Sequence, residues 1–210
     1  MDSKIIDIAD LPGLIRANDG ATRTLTAIAG PPGAGKSTVA DRLAEMLNAD
    51  QPDSAAVFPM DGFHYDDMIL NARGWRPRKG APHTFDVAGF AHMLGRLRAN
   101  AEPEIAVPVF DRAIETSRNA ARIIPQSVRH IVVEGNYLLL QDPPWDALAS
   151  QFDTTVFLDV PYDTLKARLT DRWKALAPDD FETKMEGNDL PNARLVLERS
   201  RDADYRILNA

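Results

Sequence analysis

Short apolar runs of strand length recur along the chain: TLTAIA (24–29), AAVFPM (55–60), HIVVE (130–134), TTVFLDV (154–160) and DYRIL (204–208). Segments with helical spacing of apolar positions separate them, at 37–48, 86–99, 144–151, 162–176 and 190–200. Short apolar strands alternating with helices predict a mostly parallel sheet covered on both faces, an α/β architecture with a five-stranded core. Pro161 follows the fourth run, where a strand ends and a helix starts. Residues 104–124 break the rhythm. EIAVPVFDR and ARIIP read as a short antiparallel pair, a flap beside the main sheet. Two further segments read as mobile: 71–85, rich in Arg, Pro and Gly, and 174–189, with Pro, Gly and many charges. No internal repeat or low-complexity tract interrupts the pattern.

Composition narrows the class. The 210 residues suit one domain, and the 44% of apolar residues is ordinary for a globular protein. A net charge of −7 disfavours a nucleic-acid partner, because an acidic surface repels a phosphate backbone. There is no cysteine, which excludes disulfides and thiolate metal sites. The stretch MDSKIIDIADLPGLI lacks a basic start followed by an apolar core, and no apolar run approaches the ~18 residues of a membrane span. The expectation is a soluble cytoplasmic protein with no membrane partner; a homodimer is left open.

The most irregular backbone falls between the first apolar run and the first long helix. GPPGAGKST (30–38) fits G-x-x-x-x-G-K-[ST], with Gly30, Gly35, Lys36 and Ser37 in register. Such a loop turns consecutive backbone N–H groups inward around a phosphate, and glycines permit both the turn and the close approach. The helix after it points its positive end at the anion. Gly30, Pro31, Pro32, Gly33, Ala34, Gly35, Lys36, Ser37 and Thr38 are the expected cradle for ATP. Lys36 reaches the β- and γ-phosphates and Ser37 ligates Mg²⁺. The plain alternative is a strand–helix turn with a capping serine, but the motif has the strand before it and the helix after it that its function demands.

Motifs further along the chain narrow the kind of nucleotide protein. No N-K-x-D guanine motif and no LSGGQ-like transporter signature is present. DVAG (86–89) opens a helical stretch, so Asp86 reads as its N-cap. The second and third apolar runs end in MDGFHY (60–65) and VVEGNY (132–137). In a doubly wound sheet the carboxyl ends of strands face the ligand crevice, so Asp61 and Glu134 both face the phosphates. One carboxylate can take a proton from an acceptor hydroxyl, and another can order Mg²⁺ through water.

GPPGAGKST, MDGFHY, KGAPHTFD, VPVFDR and HIVVEGNY, in that order, resemble the P-loop kinases that include bacterial pantothenate kinase, uridine kinase and phosphoribulokinase. The likeness runs from about residue 24 to 176, and most resembles a bacterial branch labelled nucleoside or nucleotide kinase-like, also "fructose transport system kinase". It implies a three-layer α/β fold forming one kinase domain over 1–210, with a flap at about 104–124 and a lid at about 166–190. It implies that Asp61 is the candidate base, that Glu134 stands near the metal, and that Arg168 and Arg172 lie in the lid helix and meet the phosphates. The chain departs from the family after Pro108. Where pantothenate kinase has a Tyr-Ser-His run and uridine kinase a Tyr-Asp followed by His, it has Phe110-Asp111-Arg112.

Other residues stay open between function and structure. Arg73, Arg76, Arg78 and Lys79, with Trp75 among them, read as a cover over an anionic acceptor or as a solvated loop. Asp111, Arg112, His64 and Tyr65 are candidate acceptor contacts. Asn188 and Asn192 read as caps near a helix start, and Trp145 as a packing residue at another. The expected reaction is ATP-dependent phosphorylation of a hydroxyl on a small metabolite that is pantothenate-, nucleoside- or sugar-like. The alternative is an ATP-binding regulator with weak ATPase activity and no metabolite substrate.

Overall fold

The computed structural model describes residues 3–17 and 23–209. Its strands are β1 (Lys4–Ile5), β2 (Thr24–Ala29), β3 (Ala55–Pro59), β4 (Glu104–Asp111), β5 (Thr116–Pro125), β6 (His130–Gly135), β7 (Thr154–Asp159) and β8 (Tyr205–Leu208). Its α-helices are α1 (Leu11–Ala17), α2 (Lys36–Asp50), α3 (Asp67–Ala72), α4 (Val87–Ala99), α5 (Tyr162–Trp173), α6 (Pro178–Lys184) and α7 (Leu190–Arg199). The main sheet runs β1-β8-β7-β2-β6-β3 with every pair parallel, and β4 and β5 form the separate antiparallel flap.

The sheet therefore has six strands, not five. β1 is two exposed residues held at the edge, the Ile6 N–H donating to the Arg206 carbonyl at 3.0 Å. A strand that short carries no hydrophobic period. The segment 144–151 is helical but forms a 3-10 helix, Trp145–Gln151. The two segments read as mobile are built of short helical pieces. The first holds the end of α3 and 3-10 turns at Arg76–Arg78 and Pro82–Thr84. The second holds α6 and a π-helical turn, Met185–Asp189.

The strands alternate their side chains between two cores, as a doubly covered sheet requires. Leu25, Ala27, Ile131, Val133 and Phe157 pack with α4, the flap and Trp145 on one face. Ile28, Val132, Val156 and Leu158 pack with α1, α2 and α5 on the other. Each such fully buried Leu, Ile or Phe contributes roughly 1.5–3 kcal/mol, so the central strands are the most firmly fixed part of the molecule. Asp86 does cap α4, accepting from the Gly89 N–H at 2.9 Å.

Candidate active site

Register brings the candidate residues together. β6 lies between β2 and β3, and pairing sets Ile28 on one side of Glu134 and Pro59 on the other. The phosphate loop begins at Gly30, just past the end of β2 at Ala29. Asp61 comes after the end of β3 in a 3-10 turn, Met60–Phe63. The loop, Asp61 and Glu134 thus share the carboxyl edge of the sheet, and a cavity of about 410 Å³ opens there.

The loop has the geometry of an anion cradle. Gly33 and Gly35 hold φ of +82° and +86°, conformations that cost a side-chain residue strain. A Cβ on Gly35 would stand 2.9 Å from Asn209 Nδ2, which itself donates to the Ala34 carbonyl at 2.7 Å. No side chain caps α2, so the first N–H groups of this 15-residue helix face the loop. Pro32, Gly33, Gly35, Lys36, Ser37 and Thr38 line the cavity. Gly30, Pro31 and Ala34 stand behind it. The Pro31 carbonyl accepts from the Ala34 N–H at 3.1 Å and from Lys36 Nζ at 3.0 Å. Burial pushes the Lys36 ammonium's pKa down, against the pull of Glu134 and then Asp61.

Ser37 Oγ donates to Glu134 Oε1 at 3.3 Å. Burial, and secondarily the negative charge of Asp61, push Glu134 up to about 7. Arg112 Nη2 in the flap donates to Asp61 Oδ2 at 2.9 Å. Gly62 is required for close approach: a Cβ there would stand 2.7 Å from the Pro108 carbonyl oxygen of β4. On its other side the Gly62 carbonyl accepts from Ser117 Oγ of β5.

The ring of His64 sits between Phe85 and Phe110, with centroids 4.1 and 4.6 Å away. Its Nδ1 lies 2.8 Å from the Asp61 carbonyl, which can only accept, so the ring proton sits on Nδ1. Burial first holds its pKa below the usual histidine range, which leaves the imidazole neutral at pH 7. His64 lines the cavity and Tyr65 does not.

The two arginines of α5 part company. Arg172 lines the cavity, while Arg168 packs against the outside of the loop, its Nη1 3.5 Å from the Gly33 carbonyl. Trp173 Nε1 donates to Asp189 Oδ2 at 2.8 Å, tying the end of α5 to the π-helical turn. That turn sets Asn188 and Asn192 four residues apart on one face. They are buried in the cavity wall and are not caps. Asn188 Nδ2 donates to the Lys79 carbonyl at 2.9 Å, and Asn192 Nδ2 to Asn188 Oδ1 at 3.1 Å.

The basic cluster disperses. Arg73 stacks over Tyr65 and Trp75, at 5.3 and 4.8 Å. Arg76 and Lys79 both bind Asp67, at 2.7 and 2.6 Å, and Arg78 turns to Asn188 and Asn192 at 3.4 Å. Among these four, Lys79 alone reaches the cavity, with its side chain 5% exposed. Its segment is braced from below by Tyr137 Oη donating to the Gly80 carbonyl at 2.6 Å and Trp145 Nε1 to the Pro82 carbonyl at 3.2 Å. Asp111 pairs with Arg118 inside the flap. Sequence reasoning missed Asn136, Trp173, Lys184 and Asp189 as lining residues. Asn136 had a signal, since it directly succeeds Glu134-Gly135 at a strand end; the others had none.

No group of three or more His, Asp or Glu gathers in ligand geometry among the described residues. A magnesium ion does not require one: it binds through one or two protein oxygens, water and phosphate. Ser37 Oγ beside a buried carboxylate is a hard-oxygen donor set of that kind.

The sequence matches the AAA domain family over residues 27–182. It is 37% identical to the uncharacterized protein YggC of Escherichia coli K12, covering 88% of this chain and 77% of that protein. It is 34% identical to a provisionally named uridine kinase of Schizosaccharomyces pombe, covering 71% of this chain and 66% of that one. Its fold superposes on a Silicibacter sp. TM1040 structure, provisionally named a fructose transport system kinase, with a TM-score of 0.88 and 38% identity. That match covers 96% of this chain and 98% of that one. The chain also matches pantothenate kinases, of which it spans about half: 46% of that of Limosilactobacillus reuteri, at 28% identity.

Proposed function

The chain belongs to the P-loop kinase family of the uridine and pantothenate kinases, and from that premise we propose that it transfers the γ-phosphoryl group of ATP to a hydroxyl of a small metabolite. The observation that carries the reading is one cavity lined by the phosphate loop, Asp61, Glu134 and Arg172, with room for an acceptor beside the loop.

The loop N–H groups and Lys36 hold the phosphates, and Arg172 approaches the γ-phosphate from the lid over 166–190. The acceptor oxygen forms a bond to phosphorus as the bond to the β,γ-bridging oxygen breaks; ADP leaves, and Asp61 takes the hydroxyl proton. Catalysis of this kind is mostly positioning and charge neutralisation. Ser37 and Glu134 would hold Mg²⁺, which would supply part of that neutralisation. Closure of the lid excludes water, which competes for the phosphoryl group.

A coupled ADP-release assay over a panel of hydroxyl compounds tests this. Stimulation of ADP release by one compound, with the phosphorylated product detected by mass spectrometry, is the expected result. Slow release unaffected by every compound would instead support an ATP-binding regulator.

A further inference from the structure

The ion pair between Arg112 and Asp61 is oddly placed for a kinase. On the kinase reading an acceptor hydroxyl comes to the Asp61 carboxylate, and a guanidinium nitrogen stands 2.9 Å from its Oδ2. The arginine comes from the flap, in the Phe110-Asp111-Arg112 stretch where the chain departs from the pantothenate kinase and uridine kinase patterns. Its side chain is 60% exposed and that of Asp61 25%. An ion pair so open to water is worth little, ~0–1 kcal/mol, so a better-placed anion displaces it readily.

A second cation stands across the same space. Lys79 Nζ donates to Asp67 Oδ1 and to the Glu115 carbonyl, both outside the phosphate loop. An ammonium has three donors, so one remains to it, and Lys79 lines the cavity with Arg112. Both cations lie near the Phe110 ring, with Nζ of Lys79 5.6 Å and Cζ of Arg112 6.0 Å from its centroid.

Resting on the kinase reading, we infer that the acceptor carries an anionic group, a carboxylate or a phosphate, close to the hydroxyl that is phosphorylated, and that Arg112 leaves Asp61 to bind it opposite Lys79. Arg112 is then a specificity residue. An uncharged alcohol leaves the guanidinium on Asp61, whereas an anionic one draws it off and frees the carboxylate for the hydroxyl. The fork of a guanidinium suits either anion, and a lysine opposite adds a point charge.

The test measures ADP release by the wild type, Arg112→Met and Arg112→Lys with matched pairs that differ by one anionic group. Suitable pairs are D-glycerate and glycerol, gluconate and glucose, pantothenate and pantothenol, and uridine 5′-monophosphate and uridine. The expected result is that the wild type favours the anionic member of its best pair by roughly 10-fold or more in kcat/KM. Arg112→Met should lower that member roughly 10- to 100-fold, should not lower its uncharged partner, for which Asp61 is then freed, and should be partly rescued by Arg112→Lys. The pair that discriminates tells a carboxylate from a phosphate. Equal or better turnover of the uncharged member, or an equal fall for both members in Arg112→Met, overturns the inference while the kinase reading stands. If the wild type turns over no compound, the kinase reading fails and this inference falls with it.

Discussion

At the scale of single residues, the proposed reaction assigns Lys36 to the phosphate donor and Asp61 to the acceptor. Lys36 is buried, and the only partner its ammonium has among the described residues is its own loop carbonyl. Lys36→Ala therefore removes no tertiary hydrogen bond and should keep the fold, read as an unchanged circular dichroism spectrum. Turnover should fall by ~10²-fold or more, the scale of a lost electrostatic contact at a transferring group. Asp61→Asn keeps the shape and removes the charge. Acceptor phosphorylation should fall by ~10²-fold or more, with ATP affinity by calorimetry changed only a few-fold. Loss of Mg·ATP binding in that variant would make Asp61 a metal ligand and pass the base role to Glu134.

At the scale of elements, the flap and the segment over 166–190 proposed as a lid are fixed by different means. The flap rests on Gly62, where there is no room for a methyl group against the Pro108 backbone. Gly→Ala ordinarily stabilises by restricting the unfolded chain, by ~0.4–1 kcal/mol. Gly62→Ala should reverse that sign, because overpacking costs ~1–3 kcal/mol. A melting experiment should show a fall of roughly 2–4 °C per kcal/mol in a chain of this size, and KM for the acceptor should rise more than KM for ATP. The segment over 166–190 is held by the bond from Trp173 to Asp189, by those of Asn188 and Asn192, and by a small core of Leu169, Met185 and Leu190, and α6 buries no residue. Hydrogen exchange should slow across 166–190 on adding a non-hydrolysable ATP analogue. Unchanged exchange with binding confirmed would remove the lid from the mechanism.

At the scale of the whole molecule, the site draws on global stability. Glu134 is pushed up to about 7 by burial and then by Asp61, above the usual carboxylate range of ~4.3–4.5. Between those values the unfolded chain releases a proton that the folded chain keeps. Stability therefore declines as pH rises through that window, and the full penalty is present above about 7. Glu134→Gln removes the titration and keeps the shape. Its melting temperature without ligand should match the wild type near pH 4.5 and exceed it by several degrees at pH 8. A difference that does not vary with pH would mean that Glu134 is not buried with a raised pKa.

The sequence by itself determined five of the main sheet's six strands, the flap and the phosphate loop, because each depends on a local pattern. Apolar runs of strand length set the strands, Gly33, Gly35 and Lys36 set the loop, and the ends of two runs placed Asp61 and Glu134. Only the tertiary structure decided the rest of the cavity. Arg112 meets Asp61 across 51 positions of chain, and Asn188 meets Lys79 across 109. It also singled out Lys79 from a run of four cations, brought Arg172 into the cavity while leaving Arg168 outside, and turned two expected caps into a buried wall. Periodicity reports which face of an element is apolar. It does not report which distant element that face will meet, and the partners of a charged side chain are set by that meeting.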